Sequence, residues 1–145
     1  MSTESLHQSV PRIFVSHAAS DTVLARKIRR LLKSSFDANV STMDDLSAGE
    51  NWESLLRQQL SNADYVVAIL SPQSVRSTFV LHDLGAAWAL GKPVIPLFTR
   101  RDVLNSIPMA VLESHMIEVS DLENPEASDE LVRKLSQIIS SHPVH

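Results

Sequence analysis

The run YVVAIL, residues 65–70, holds no charged or turn-forming residue, and this limits the fold more than any other feature of the chain. A strand buried on one face alternates apolar and polar side chains, whereas a strand buried on both faces is continuously apolar. DYVVAIL, residues 64–70, is therefore predicted to be a central strand of a parallel sheet. PVIPLF, residues 93–98, has the same character and is the predicted fourth strand. RIFVS, residues 12–16, follows Pro11 and is β-branched and aromatic, as suits a first strand. Weaker strands are predicted at 37–42 and, on an edge, at 116–120 (MIEVS).

Helical patterns separate these runs. The segment 21–34 sets Leu24, Ile28, Leu31 and Leu32 on one face, and 51–61 sets Trp52, Leu55, Leu56 and Leu60 inward. Ser71-Pro72 is a helix-start signal leading to Ser77, a predicted cap for a helix over 77–92. The segment 99–115 reads as irregular, with a short helix near 102–105. Asn124-Pro125 opens a last helix to about 140, with Leu131, Leu135 and Ile138 on one face and Val132 and Ile139 beside them. Regular alternation of strand and helix predicts an α/β, flavodoxin-like three-layer sandwich. Its five-stranded parallel sheet would take the order 2-1-3-4-5, with helices on both faces.

Composition narrows what such a fold can do. A single domain over 11–141 is expected, between a flexible tail at 1–10 and a short one at 142–145. With no cysteine there is neither a disulfide nor a thiolate metal site, and a reducing, cytoplasmic setting is expected. No apolar run is long enough to span a bilayer, and no basic-then-apolar leader is visible, so no membrane partner is expected. A net charge of −4 argues against nucleic acid as a partner. The three glycines, Gly49, Gly85 and Gly91, form neither GxGxxG nor GxxxxGK, which excludes a Rossmann dinucleotide site and a P-loop. The six histidines show no ligand spacing, and no metal is expected.

One residue conflicts with its surroundings. In STFVLHDLGAAWALGK, residues 77–92, helical spacing places Asp83 on the same side as Phe79, Val80 and Ala87. A charge on an apolar face is costly unless something binds it. In a 2-1-3-4-5 sheet the ligand crevice lies at the carboxyl ends of strands 1 and 3. Ser16, His17 and Asp21 emerge there after strand 1, and Ser71 with the Asp83 helix after strand 3. The acidic loop DDLSAGE, residues 44–50, leaves the same edge. Other polar residues take structural readings. Asp21 is a helix-start residue, His82 an exposed one, and the cluster Arg26, Lys27, Arg29, Arg30 and Lys33 a solvated helix face. Trp52 and Trp88 lie on apolar helical stripes and are expected in the core.

IFVSHAASD, DDLSAGENWESLLRQQL and ADYVVAILSPQSVRSTFVLHDLGAAWALGKPVIPLF, in this order, resemble the successive signatures of TIR (Toll/interleukin-1 receptor) domains, closest to the bacterial stand-alone type. The resemblance implies binding of NAD as substrate, not cofactor, and hydrolysis or cyclisation at its nicotinamide–ribose bond in signalling or defence. The family glutamate lies in a pattern like S-x-W-C-x-x-E, which here reads Ser77-Thr78-Phe79-Val80-Leu81-His82-Asp83. Aspartate thus replaces glutamate, keeping the charge that offsets an oxocarbenium-like cation but standing one methylene farther back. The resemblance implies Asp83 as catalytic residue, and Ser16, His17, Ser71, Ser77 and Phe79 as ligand contacts. It also implies a self-association loop at Asp45, Leu46, Ser47, Ala48 and Gly49, docking on another TIR domain.

Two alternatives stand beside an NAD nucleosidase. One is a TIR interaction module without activity, acting by self-association. The other is an enzyme like the nucleoside deoxyribosyltransferases, whose carboxylate attacks a related N-glycosidic bond. A phosphoacceptor receiver is excluded, because strand 3 ends in Leu70-Ser71 with no aspartate.

Overall fold

The computed structural model describes residues 10–43, 51–107, 116–119 and 121–141, and the side chains of Trp52, Ser140 and Ser141 lie outside that description. The strands are β1 (Arg12–Ser16), β2 (Asn39–Thr42), β3 (Tyr65–Leu70), β4 (Val94–Phe98) and β5 (Ile117–Glu118). The helices are α1 (Thr22–Phe36), α2 (Trp52–Asn62), α3 (Thr78–Ala89) and α4 (Pro125–Ser141). All strand pairs are parallel and their order is β2-β1-β3-β4-β5. The fold class expected from the sequence is therefore the observed one.

Alternation along β1 divides the core. Ile13 and Val15 join Val67, Ile69, Ile95 and Leu97 in one apolar cluster, sealed by Ala25, Ile28 and Leu32 of α1 and by Leu131, Leu135 and Ile138 of α4. Phe14 joins Val66, Ala68, Leu70 and Phe98 in the other, under Leu56 and Leu60 of α2 and Val80, Leu84 and Ala87 of α3. Every residue of β3 is buried, as a strand covered on both faces requires. The Tyr65 hydroxyl donates to the Ile139 carbonyl at 3.0 Å and so ties the start of β3 to α4.

Pro96 sits inside β4 without interrupting its ladder with β3. The Pro93 carbonyl and the Thr99 amide bond toward β3, and the Phe98 carbonyl toward β5. Odd positions of β4 therefore face β3, and Pro96 faces the β5 side. Among the described residues, pairing on that side begins at Leu97 with Ile117, so the missing N–H falls at the end of the described ladder.

Helix ends follow local chemistry. The Ser77 side chain accepts the Val80 amide at 3.3 Å and caps α3 as expected. At the other end Gly91, at φ 70°, sends its amide to the Trp88 carbonyl, while Lys92 reaches back to Ala87. That pair of bonds is a Schellman closure, which needs a left-handed residue. Asp37, at φ 54°, closes α1 in another left-handed form without being glycine, its amide donating to the Lys33 carbonyl at 3.0 Å. Asn124 accepts the Glu126 amide at 2.9 Å ahead of Pro125, so the predicted start of α4 holds.

Two expectations for α3 are corrected. Trp88 is not core: it is 64% exposed. Val80, Asp83, Leu84 and Ala87 form the buried stripe of α3, and Trp88 points away from it with Leu81 and Gly85. Phe79 is expected beside Asp83 on the buried side but is 52% exposed in the first turn. The short helix expected near 102–105 is present as a 3₁₀ helix, Arg101–Ser106. β5 is also shorter than expected, and Ser120 lies outside the described residues, as does the loop Asp45, Leu46, Ser47, Ala48 and Gly49.

Candidate functional site: a buried carboxylate at the end of the first strand

Asp83 is only 1% exposed. It lies in the second turn of α3, the helix that packs against the Phe14 side of the sheet. Ser16 ends β1 two residues beyond Phe14 and so faces the same side. Its hydroxyl donates to Asp83 Oδ2 at 2.8 Å. The other oxygen, Oδ1, is buried and has no hydrogen-bond donor among the described residues. Its nearest basic neighbour is the exposed ring of His82, with Nδ1 at 3.7 Å. Burial pushes the Asp83 carboxyl above its ordinary value, against the opposing pull of the Ser16 hydrogen bond and of the His82 and His17 rings. A buried carboxylate oxygen without a donor calls for an explanation, and the common ones are strain or a ligand.

His17 is buried just beyond Ser16. Its Nδ1 lies 2.8 Å from the Ala18 carbonyl, which can only accept, so Nδ1 carries the proton. On one side the ring lies near enough to Asp83 to act on its charge, and on the other it lines a cleft under α1.

Asp21 departs from expectation. It precedes α1 but makes no side-chain cap. Its Oδ2 accepts the Ser71 hydroxyl at 2.5 Å instead, joining the segment after β1 to the segment after β3. Ser71 is further engaged with Ser74: its hydroxyl oxygen accepts the Ser74 amide at 3.1 Å while its own amide donates to Ser74 Oγ at 2.7 Å. The structure thus brings Ser16, His17 and Asp83 together, and places Asp21 with Ser71 at the same strand ends. Ser77 is engaged as a cap, and Phe79 stands exposed one turn before Asp83. Sequence reasoning misses the Asp21–Ser71 bond, because it reads Asp21 as a helix-start residue and Ser71 as a helix-start signal and ligand contact. The signal was available in the polar residues that follow two strands predicted to be adjacent.

Among the described residues no group of three or more His, Asp or Glu could hold a metal. No described helix is long and apolar enough to cross a membrane.

The profile of the TIR domain family matches residues 13–139. The chain belongs to the TIR domain family. Among solved structures, this TIR domain superposes on the TIR domains of the activated Roq1 resistosome with a TM-score of 0.62 and 15% identity, over 86% of this chain and 99% of that one. It matches the CMP N-glycosidase BcmB of Clostridium botulinum equally well in shape, with a TM-score of 0.62 and 17% identity over 88% of this chain and 99% of the other. An NADH:FMN oxidoreductase gives the same score at 13% identity, over 94% and 92% of the two chains. At such identities the likeness is one of fold, and it is shared by proteins of different chemistry. No curated protein matches the chain in sequence.

Proposed function

We infer that this TIR domain cleaves the N-glycosidic bond of a ribonucleotide, with Asp83 as the carboxylate that stabilises the ribosyl cation. The observation that carries this reading is the buried Asp83, held at Oδ2 by Ser16 and, among the described residues, without a donor at Oδ1. A fixed negative charge in a water-poor site acts on developing positive charge more strongly than it would in water. Ser16 would orient the carboxylate, while Oδ1 is left to accept from ribose hydroxyls or to face C1′. As the C1′–N bond breaks, its electron pair leaves with the base, and water then adds to C1′ and loses a proton.

NAD is the substrate this arrangement suits best. Nicotinamide departs as a neutral molecule and needs no general acid, so one carboxylate can serve. The cytosine of a nucleoside monophosphate leaves as an anion unless protonated, and His17 or Asp21 would have to supply that proton. The likeness in fold to a CMP N-glycosidase keeps such a nucleotide as the second reading.

The test is base release from NAD and from CMP at high protein concentration, with wild type, Asp83→Ala and Asp83→Glu. Release by wild type that falls about 100-fold or more in Asp83→Ala supports the assignment. Assembly with no turnover of either nucleotide by any of the three would leave self-association as the function.

A further inference from the structure

A cleft of about 370 Å³ opens beside the site, lined by His17, Thr22, Ala25, Arg26, Arg29 and Thr42. We propose that this cleft is a phosphate subsite, in which Arg26 and Arg29 hold the phosphate of the nucleotide whose ribose lies at Asp83. The inference rests on the N-glycosidase reading and adds to it where the rest of the substrate binds.

Thr22, Arg26 and Arg29 are four and three residues apart, so they form a stripe on one face of α1, alongside the end of β2 at Thr42. Among the described residues the lining carries two guanidinium groups and no carboxylate, in a chain whose net charge is −4. None of the ion pairs given for the described residues involves Arg26. A second basic cleft, around Lys27, Arg30 and Lys33, offers a contrast: there Lys27 is matched by Glu123 at 2.5 Å. The Arg26 cleft also lies by the first two turns of α1, where the positive end of the helix dipole favours an anion. The Thr22 hydroxyl donates to the Ala19 carbonyl at 2.7 Å. A planar guanidinium suits phosphate oxygens in charge and in geometry.

His17 is what joins cleft and carboxylate. Its ring is part of the cleft wall and also lies within electrostatic reach of Asp83. A nucleotide spanning the two places would put an anion at Arg26 and Arg29 and its ribose at Asp83.

The experiment measures binding, so that it stands apart from turnover. Wild type, Asp83→Ala and the double variant Arg26→Gln/Arg29→Gln would each be titrated with ADP-ribose, adenosine, CMP and cytidine, by calorimetry and by amide chemical shifts. At least one phosphorylated ligand should bind ten-fold or more tighter than its nucleoside, with shifts at Thr22, Arg26 and Arg29. Asp83→Ala should keep that preference and the double variant should lose it. Arg26→Lys, which keeps the charge but not the planar fork, should retain part of it. Equal binding of phosphorylated and unphosphorylated ligands, no binding of any, or a preference that survives in the double variant would overturn the subsite. Preserved phosphate preference without base release from NAD or CMP would instead overturn the N-glycosidase reading and leave the subsite standing.

Discussion

Ser16 and Asp83 are 67 residues apart in sequence, yet the Ser16 hydroxyl meets Asp83 Oδ2 at 2.8 Å in a buried setting. This contact makes the end of a strand and the second turn of a helix into one unit. It also leaves the carboxyl group with unequal oxygens, one held and one open.

Removing the held side should be costly. Ser16→Ala leaves a buried carboxyl group with neither oxygen bonded to a described residue, so unfolding by urea should show a loss of about 1–3 kcal/mol. It should also raise the Asp83 pKa further, because the Ser16 bond is the largest influence holding it down. If base release needs the ionised form, its acid limb should move to higher pH in this variant.

Burial raises the folded-state pKa of Asp83 above the unfolded value. Between those two values the folded state binds more protons than the unfolded one, so this group's contribution to stability falls as pH rises through the window. It is fully present below the unfolded pKa and lost above the folded one. Asp83→Asn should therefore be more stable than wild type at pH 7, with the gap closing toward pH 3. Thermal melts across that range check it, and a gap that widens toward acid would contradict the sign.

The Asp21–Ser71 bond spans the loops after β1 and β3. A double-mutant cycle with Asp21→Asn and Ser71→Ala should give a coupling of roughly 0.5–3 kcal/mol. Simple additivity would mean that the contact does not hold the crevice edge.

Two left-handed helix ends should respond in opposite directions. Gly91→Ala meets no atom within 4 Å but must hold φ 70°, so it should lose about 1–2 kcal/mol through backbone strain alone. Asp37→Gly relieves the same strain at φ 54° and should gain a few tenths to about 1 kcal/mol.

The phase of α3 can be tested with two truncations. Leu84→Ala empties a buried position and should cost about 2–5 kcal/mol. Trp88→Ser, on the exposed side, should stay within about 0.5 kcal/mol of wild type.

Much of the fold was legible because its signals are local. A wholly apolar β3, the Ser77 cap and the Gly91 stop each follow from a few adjacent residues, and the strand order follows from their alternation. Asp83 was legible as a misfit on an apolar stripe. Trp88 was misplaced because α3 carries apolar residues on nearly every side, so hydrophobicity alone does not fix which face turns inward. Asp21 was given a local role because its partner comes from another strand. That Arg26 and Arg29 also line a cleft is not legible, because a charge run looks alike whether or not a cleft lies beside it.

The alternation of β1 has an evolutionary consequence. Its last residue, Ser16, serves Asp83 on the α3 side, and the next, His17, turns to the α1 side. One residue inserted or deleted within this strand would put Val15 or His17 where Ser16 stands, breaking both halves of the site together. Substitutions can tune this crevice step by step, but length changes in β1 cannot, so lineages that keep the chemistry should vary in the length of their loops while leaving this strand's residue count untouched.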